Sequence, residues 1–216
     1  LLFIPSQAPF DLFYATGKFG LHLFVRRVLI MEHCEELLPA YLRFVRGVVD
    51  SADLPLNVSR QRLQEDRHIM QIRKWLTKKV LDSLEEMQKK EPEKYSQFWR
   101  QFGRVVKEGP TFDFDNKDRL IGLCLFDSSA DAEKPTSLQD YIARMKPDQS
   151  SLYYITGPSR RAVENSPHLE AFRDKGYEVL FMVDPVDEML MQWLPEYEGK
   201  KLKSVAKGAA DLGEQK

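Results

Sequence analysis

Leu152-Tyr-Tyr-Ile-Thr156 begins the stretch that decides the fold, and Tyr177-Glu-Val-Leu-Phe-Met-Val183 closes it. Both runs are rich in β-branched and aromatic residues, which suits buried strands. Between them Ser166-Pro167 opens a helix that reaches Lys175, and Gly176 ends it. Proline fits a helix's first turn, and glycine tolerates the left-handed cap. Strand, helix and strand joined by a crossover of that length form a parallel βαβ unit. A small α/β layer is therefore predicted here. Asp184-Pro185 opens a further helix through Trp193, and Ser137-Leu-Gln-Asp140 resembles a capping box.

Upstream the periodicity changes. Asp127 to Thr136 is polar and reads as the best internal linker. Before it, Ile69, Ile72, Leu76, Val80, Leu84 and Met87 recur at three- and four-residue steps. They form one apolar stripe on a long amphipathic helix that Glu91-Pro92 closes and Ser59 is placed to cap. Tyr95, Phe98, Trp99, Phe102 and Val106 share a face of a second helix, stopped by Gly109-Pro110, and a third covers about Asn116 to Phe126. Three such helices predict a small bundle, with the aromatic stripe as core rather than a cofactor box. The first region, to about Val58, reads as strands plus a helix. Gly20 to Met31 is expected to be one half-buried strand through Leu21, Leu23 and Val25. Glu35 to Asp50 is expected to be helical, because Leu38, Leu42, Val45 and Val49 fall at helical spacing with Pro39 near the start.

Composition narrows the function classes. The 216 residues suffice for one large core or two small ones. A content of 43% hydrophobic, 30% charged and 11% aromatic residues is that of a globular chain. The net charge of -1, from 32 basic and 33 acidic residues, exerts no global pull on nucleic acid or membrane. No apolar run approaches the roughly 20 residues of a bilayer span. Leu1-Leu2-Phe3-Ile4 stops at Pro5 without a signal peptide's basic region. Cys34 and Cys124 imply no disulfide framework, which points to a reducing compartment. A start without Met, directly in an apolar run, predicts a piece of something longer.

The chemistry concentrates in Asp53-Leu54-Pro55-Leu56-Asn57-Val58-Ser59-Arg60-Gln61-Arg62-Leu63-Gln64, which runs from a rigid turn into a helix start. Helix starts favour acidic side chains, because the macrodipole and unpaired N–H groups present positive charge there. Arg60 and Arg62 break that rule, and such breaches gather at functional sites. An anion, above all phosphate, suits a helix N-terminus that carries guanidinium groups. The other reading leaves both arginines solvated or paired with Asp50 and Asp53. His22, His33, His68, His168 and the two cysteines show no metal-ligand spacing, so no metal is expected. Walker, G-x-S-x-G and G-x-G-x-x-G motifs are missing, and an ordinary turn explains Thr156-Gly157-Pro158-Ser159. Glu35-Glu36, Glu85-Glu86 and Asp187-Glu188 read as solvated helix faces. The chain does not read as a self-sufficient enzyme. Phe10, Phe13, Tyr14 and Phe19 crowd into Pro9 to Gly20 without periodicity, either packed inward or awaiting a protein partner.

Leu2-Phe-Ile-Pro-Ser-Gln-Ala-Pro-Phe-Asp-Leu-Phe13, Leu23-Phe-Val-Arg-Arg-Val28, Leu42-Arg-Phe-Val-Arg-Gly-Val-Val-Asp-Ser51 and Asp53 to Arg60 resemble the middle domain of the ninety-kilodalton heat-shock chaperones. Ser137 to Met145, Tyr153-Tyr-Ile-Thr156, Glu178-Val-Leu-Phe181 through Asp184-Pro-Val-Asp-Glu188, and Glu196-Tyr-Glu-Gly-Lys200 continue the resemblance, in the flavour of the bacterial high-temperature protein G branch. It implies a mixed α/β fold, with an α/β/α layer, then a three-helix coil, then a second smaller α/β/α layer. On that scheme 1–58 is the C-terminal part of the large α/β subdomain, ending in the catalytic loop. The coil spans 59–127, and 128–216 is the small α/β subdomain with a polar C-terminal tail.

The resemblance further implies ATP-driven protein folding in the cytoplasm by a homodimer. ATP, with Mg, sits in a separate N-terminal domain, and dimerisation lies in a C-terminal domain, both absent here. The implied partners are unfolded or partly folded client proteins and the chain's own N-terminal nucleotide domain, with no nucleic acid and no membrane. The full-length parent is expected to be an ATPase, and this segment alone is expected neither to be one nor to bind cofactor. The family's N-V-S-R loop brings its arginine to the γ-phosphate, and here that residue is Arg60; Asn57 matches the loop asparagine and Gln64 the partner glutamine. Arg60 and Gln64 are thus the expected catalytic residues, with Asn57 beside them at the γ-phosphate, and Phe10, Phe13, Tyr14 and Phe19 the expected client contacts. Three positions depart from the pattern: Gln61 for a usual Glu, Leu29 for Phe, and Leu125 for Arg. The alternative class is a stand-alone protein-interaction module with no catalytic role; a small α/β enzyme is a third option.

Overall fold

The computed structural model describes residues 1–14, 19–54 and 66–208. It divides into two compact units, Leu1–Gly109 and Pro110–Lys216. In the first, β1 (Leu2–Phe3), β2 (Leu21–Val25), β3 (Val28–Cys34) and β4 (Arg46–Ser51) form a sheet in the order β1-β4-β2-β3. Alternation along β2 places Leu21, Leu23 and Val25 fully inside. Gly20, at φ 118, leads into it so closely that a Cβ there would lie 2.7 Å from the Cys34 carbonyl carbon.

Two expectations need correction here. Gly20 to Met31 is a hairpin rather than one strand: Val25 pairs with Val28, and Arg26 and Arg27 make the turn at φ 50 and 68. Two-residue hairpin turns of this hand need positive φ at both positions, normally supplied by Asn or Gly. Non-glycine residues adopt it at a cost of about 1–3 kcal/mol each, so nothing in the local sequence announces the turn. Glu35 to Asp50 is not a helix either. Two 3₁₀ turns, Glu35–Leu37 and Ala40–Leu42, precede β4, and Pro39 is extended between them at ψ 153. Val48 and Val49 pair in parallel with His22 and Leu23, so β-branched side chains and sheet hydrogen bonds override the spacing. Leu38, Leu42 and Val45 are buried all the same.

Helices α1 (Arg67–Lys90) and α2 (Pro92–Val106) complete this unit, with Glu91 ending one and starting the other. The cap of α1 is Asp66, whose carboxylate accepts from the amides of His68 and Ile69 at 2.8 and 3.4 Å; Ser59 lies outside the described residues. Helix α1 buries Ile69, Leu76, Val80, Leu81 and Leu84, and α2 buries Tyr95, Phe98, Trp99, Phe102 and Val106. Phe44 joins them, its ring 5.4 Å from Phe98 and 4.9 Å from Phe102. Each ring removed from water contributes about 1.5–3 kcal/mol, so the aromatic stripe is core, as expected.

The second unit holds α3 (Lys117–Leu123), β5 (Asp127–Ser128), α4 (Leu138–Arg144), β6 (Ser151–Thr156), α5 (Arg160–Glu164) and α6 (Glu170–Lys175). After them come β7 (Val179–Met182), α7 (Pro185–Trp193), β8 (Glu196–Tyr197), β9 (Lys200–Ser204) and α8 (Val205–Gly208). The sheet order is β5-β7-β6-β9-β8, with β6 parallel to both β7 and β9. The expected βαβ unit is present, and Gly176 at φ 64 terminates α6. The polar stretch read as a linker opens as an edge strand: β5 pairs with β7, and Phe126 pairs with Thr136. Tyr153, Ile155, Val163, Phe172, Val179, Phe181 and Val205 form the core of this unit. The chain thus adopts a mixed α/β fold. Among the described residues no helix is long and apolar enough to cross a membrane.

Candidate functional site

Because β2 and β4 run in parallel, the Arg26-Arg27 turn lies at the same end as the C-terminus of β4. Ligands of α/β sheets collect at that end of parallel strands, and there the chain enters residues 55–65. Asn57, Arg60 and Gln64, with Gln61 and Arg62, lie outside the described residues. The chain leads up to them through buried Leu54 and resumes at Asp66, the cap of α1. The Arg26 amide donates to Ser51 O at 3.2 Å, its Nε donates to Ala52 O at 3.2 Å, and the Arg27 amide donates to Asp50 Oδ1 at 3.2 Å. Asp50, one of the carboxylates available to Arg60 or Arg62 in the bland reading, accepts from this turn. Leu29, on edge strand β3, is exposed.

The aromatic segment is a platform with rings pointing out. Phe10–Phe13 is a 3₁₀ turn in which Leu12 is fully buried. Arg43 Nε donates to Leu12 O at 3.0 Å, and the Ala8 amide donates to Gln101 Oε1 at 3.0 Å. Arg43 is itself held by both Glu108 oxygens, at 2.6 and 2.8 Å. On this base Phe10 is 87% exposed, Tyr14 54% and Phe13 44%. The Phe10 and Tyr14 rings stand 5.3 Å apart, and the Arg104 guanidinium lies 5.1 Å from the Phe13 ring centre. Phe19 is half-buried beneath Arg43 and Arg46, at 5.9 and 6.0 Å, and borders a cavity of about 260 Å³ with Leu38, Leu42 and Arg73. Of the two readings open in the sequence, Leu12 takes the inward one, and Phe10, Phe13 and Tyr14 the outward one.

The family model described as "Hsp90 protein" matches residues 1–216. The chain belongs to the Hsp90 family. It is 56% identical over 212 residues to Chaperone protein HtpG of Streptomyces coelicolor, covering 98% of this chain and 33% of that protein. It is 53% identical over 215 residues to Chaperone protein HtpG of Mycobacterium tuberculosis, covering 100% of this chain and 33% of the relative. The chain therefore spans about a third of the length of the curated relatives it matches. The middle domain of a Plasmodium falciparum heat shock protein superposes with a TM-score of 0.81 at 30% identity, covering 94% of this chain and 80% of that one. The fold is that of an Hsp90 middle domain.

Sequence reasoning missed an exposed aromatic pair of this Hsp90 chain, Phe114 and Trp193, within the second unit. Phe112, Phe114, Met189 and Trp193 are all exposed; the Phe114 and Trp193 rings lie 5.6 Å apart, and Lys117 Nζ donates to Trp193 O at 2.8 Å. Its signal was Met189 and Trp193 four apart on one helix face. Cys34 offers no nucleophile at neutral pH, since burial, then the Glu36 carboxylate, pushes its thiol up to about 12. Among the described residues no group of three His, Cys, Asp or Glu could hold a metal ion.

Proposed function

We propose that this chain is the middle segment of an ATP-dependent molecular chaperone of the bacterial cytoplasm. In that role 1–58 ends in the catalytic loop, 59–127 is a connecting coil and 128–216 a small α/β part. Arg60 is delivered to the γ-phosphate of an ATP, with Mg, held by the N-terminal nucleotide domain of the same protein. Gln64 is the second catalytic residue, and Asn57 lies with both at the γ-phosphate. A guanidinium aimed at charge developing on a transferring phosphoryl group accelerates hydrolysis by about 10³–10⁵ in other systems. Phe10, Phe13, Tyr14 and Phe19 offer apolar surface to unfolded or partly folded clients, and the whole protein acts as a homodimer joined through its C-terminal domain.

The observation that carries this reading is the match of the Hsp90 family model to the whole chain, including the N-V-S-R run that ends at Arg60. Exposure of Phe10 and Tyr14 on a hydrogen-bonded base supports the client surface. Mixing this chain with the purified N-terminal nucleotide domain tests it: ATP hydrolysis should rise above that of the nucleotide domain alone. No rise, with binding of an unfolded protein retained, would favour the stand-alone interaction module.

A further inference from the structure

Two arginines border the aromatic turn, and they are held in opposite ways. Arg43 donates to Leu12 O and is neutralised by both Glu108 oxygens, so its charge is spent on the base of the turn. Arg104, on α2, is exposed, and among the described residues its guanidinium has no carboxylate partner. It lies over the Phe13 ring instead, 5.1 Å from the ring centre. A guanidinium stacked on a ring keeps its N–H edge free for a bidentate bond to a carboxylate. The stacking also orders the side chain before a partner arrives, which lowers the entropy lost on binding. Gln101 stands three residues earlier on the same face of α2, and its Oε1 accepts from the Ala8 amide, tying the approach to the turn to that helix. Asp11, the acid of the turn itself, is half-buried, whereas Phe10, Phe13 and Tyr14 are exposed. The platform thus presents three rings beside a cation with no acid to cancel it among the described residues.

Resting on the reading of this turn as a client surface, we propose that Arg104 determines what the surface selects: extended segments in which an aromatic or large apolar residue stands beside an acidic one. The apolar residue packs on Phe10 and Tyr14, whose rings lie 5.3 Å apart at an angle of 36°. The neighbouring carboxylate meets the Arg104 guanidinium at the Phe13 ring. Aromatic residues and arginine are the side chains that dominate interface hot spots, and charge complementarity adds specificity more than raw affinity. Rings alone would accept any unfolded chain. The unpaired cation makes the surface discriminate, because a segment with lysine in the acidic place meets a like charge.

Fluorescence anisotropy with the full-length chaperone and three labelled, unstructured glycine–serine peptides tests this selection. Each peptide carries phenylalanines flanked on both sides by aspartates, by asparagines or by lysines. The aspartate peptide should bind at least fivefold tighter than the asparagine peptide, and the lysine peptide should bind weakest. Arg104→Gln should bring the aspartate peptide down to the affinity of the asparagine peptide, with the melting temperature kept because the side chain is exposed. Arg104→Glu should reverse the order, so that the lysine peptide binds tightest. Phe10→Ser should weaken all three severalfold. An aspartate preference that survives Arg104→Gln, or no preference in the parent, overturns the role of Arg104. Unchanged binding of all three peptides in Phe10→Ser defeats the client reading of the turn, and the Arg104 variants still decide whether that guanidinium reads acidic segments.

Discussion

At the scale of single residues, the hydroxyl of Tyr141 ties the second unit together. It donates to Glu178 O at 2.5 Å and accepts from Gln149 Nε2 at 2.8 Å and from the Tyr153 amide at 3.0 Å. Tyr141→Phe takes this partner from the Glu178 carbonyl and the Tyr153 amide, while Gln149 Nε2 keeps Ser151 O at 2.8 Å, and should cost about 1–3 kcal/mol in denaturant unfolding; a loss below a few tenths would show that water replaces the hydroxyl. Cys34 predicts a pH effect. The free thiol loses its proton near pH 9.0, and the buried one holds it up to about 12. Above pH 9.0 the unfolded chain therefore binds fewer protons than the folded one, and stability falls as pH rises. Cys34→Ala should flatten that part of the slope, and an unaltered slope would assign it elsewhere. Arg60 drew notice in the sequence because an arginine defies the charge rule for helix starts, whereas Asn57 was named only through the family resemblance, and both lie outside the described residues. The Arg26-Arg27 turn was not legible, because a strained turn without Gly or Asn leaves no mark on the sequence.

At the scale of elements, period and punctuation decided what could be read. Helices α1 and α2 were legible from their apolar stripes, and the β6–α6–β7 unit from its Pro and Gly boundaries. Strand β4 was hidden because Leu38, Leu42, Val45 and Val49 mimic helical spacing over residues that are partly a buried loop. Strand β9, Lys200-Lys-Leu-Lys-Ser204, is too polar to announce itself and takes its conformation from pairing with β6. The start of α1 depends on Asp66, which satisfies two first-turn amides at once. Asp66→Ala should therefore cost about 1 kcal/mol of stability, read as a lower melting temperature, whereas Asp66→Ser should recover most of it. Equal melting temperatures for the alanine variant and the parent would show that packing of Ile69 and Leu76 sets this helix end by itself.

At the scale of the whole molecule, the proposed function asks one chain to combine a surface for clients with a residue for ATP. Whether the aromatic segment faced in or out could not be read from its composition, since exposure depends on Leu12 being the residue that anchors it. Phe10→Ser and Tyr14→Ser should weaken binding of an unfolded protein severalfold with the melting temperature kept, while Leu12→Ser should lower the melting temperature by a core residue's worth. A large melting-temperature fall for Phe10→Ser would make that ring structural instead. The most direct measurement is steady-state ATP turnover of the full-length chaperone carrying Arg60→Ala, with nucleotide affinity measured in parallel. Turnover should drop at least tenfold while affinity for ATP stays within about twofold, as for loss of a contact made in the transition state. Turnover equal to that of the parent would mean that Arg60 does not serve the γ-phosphate.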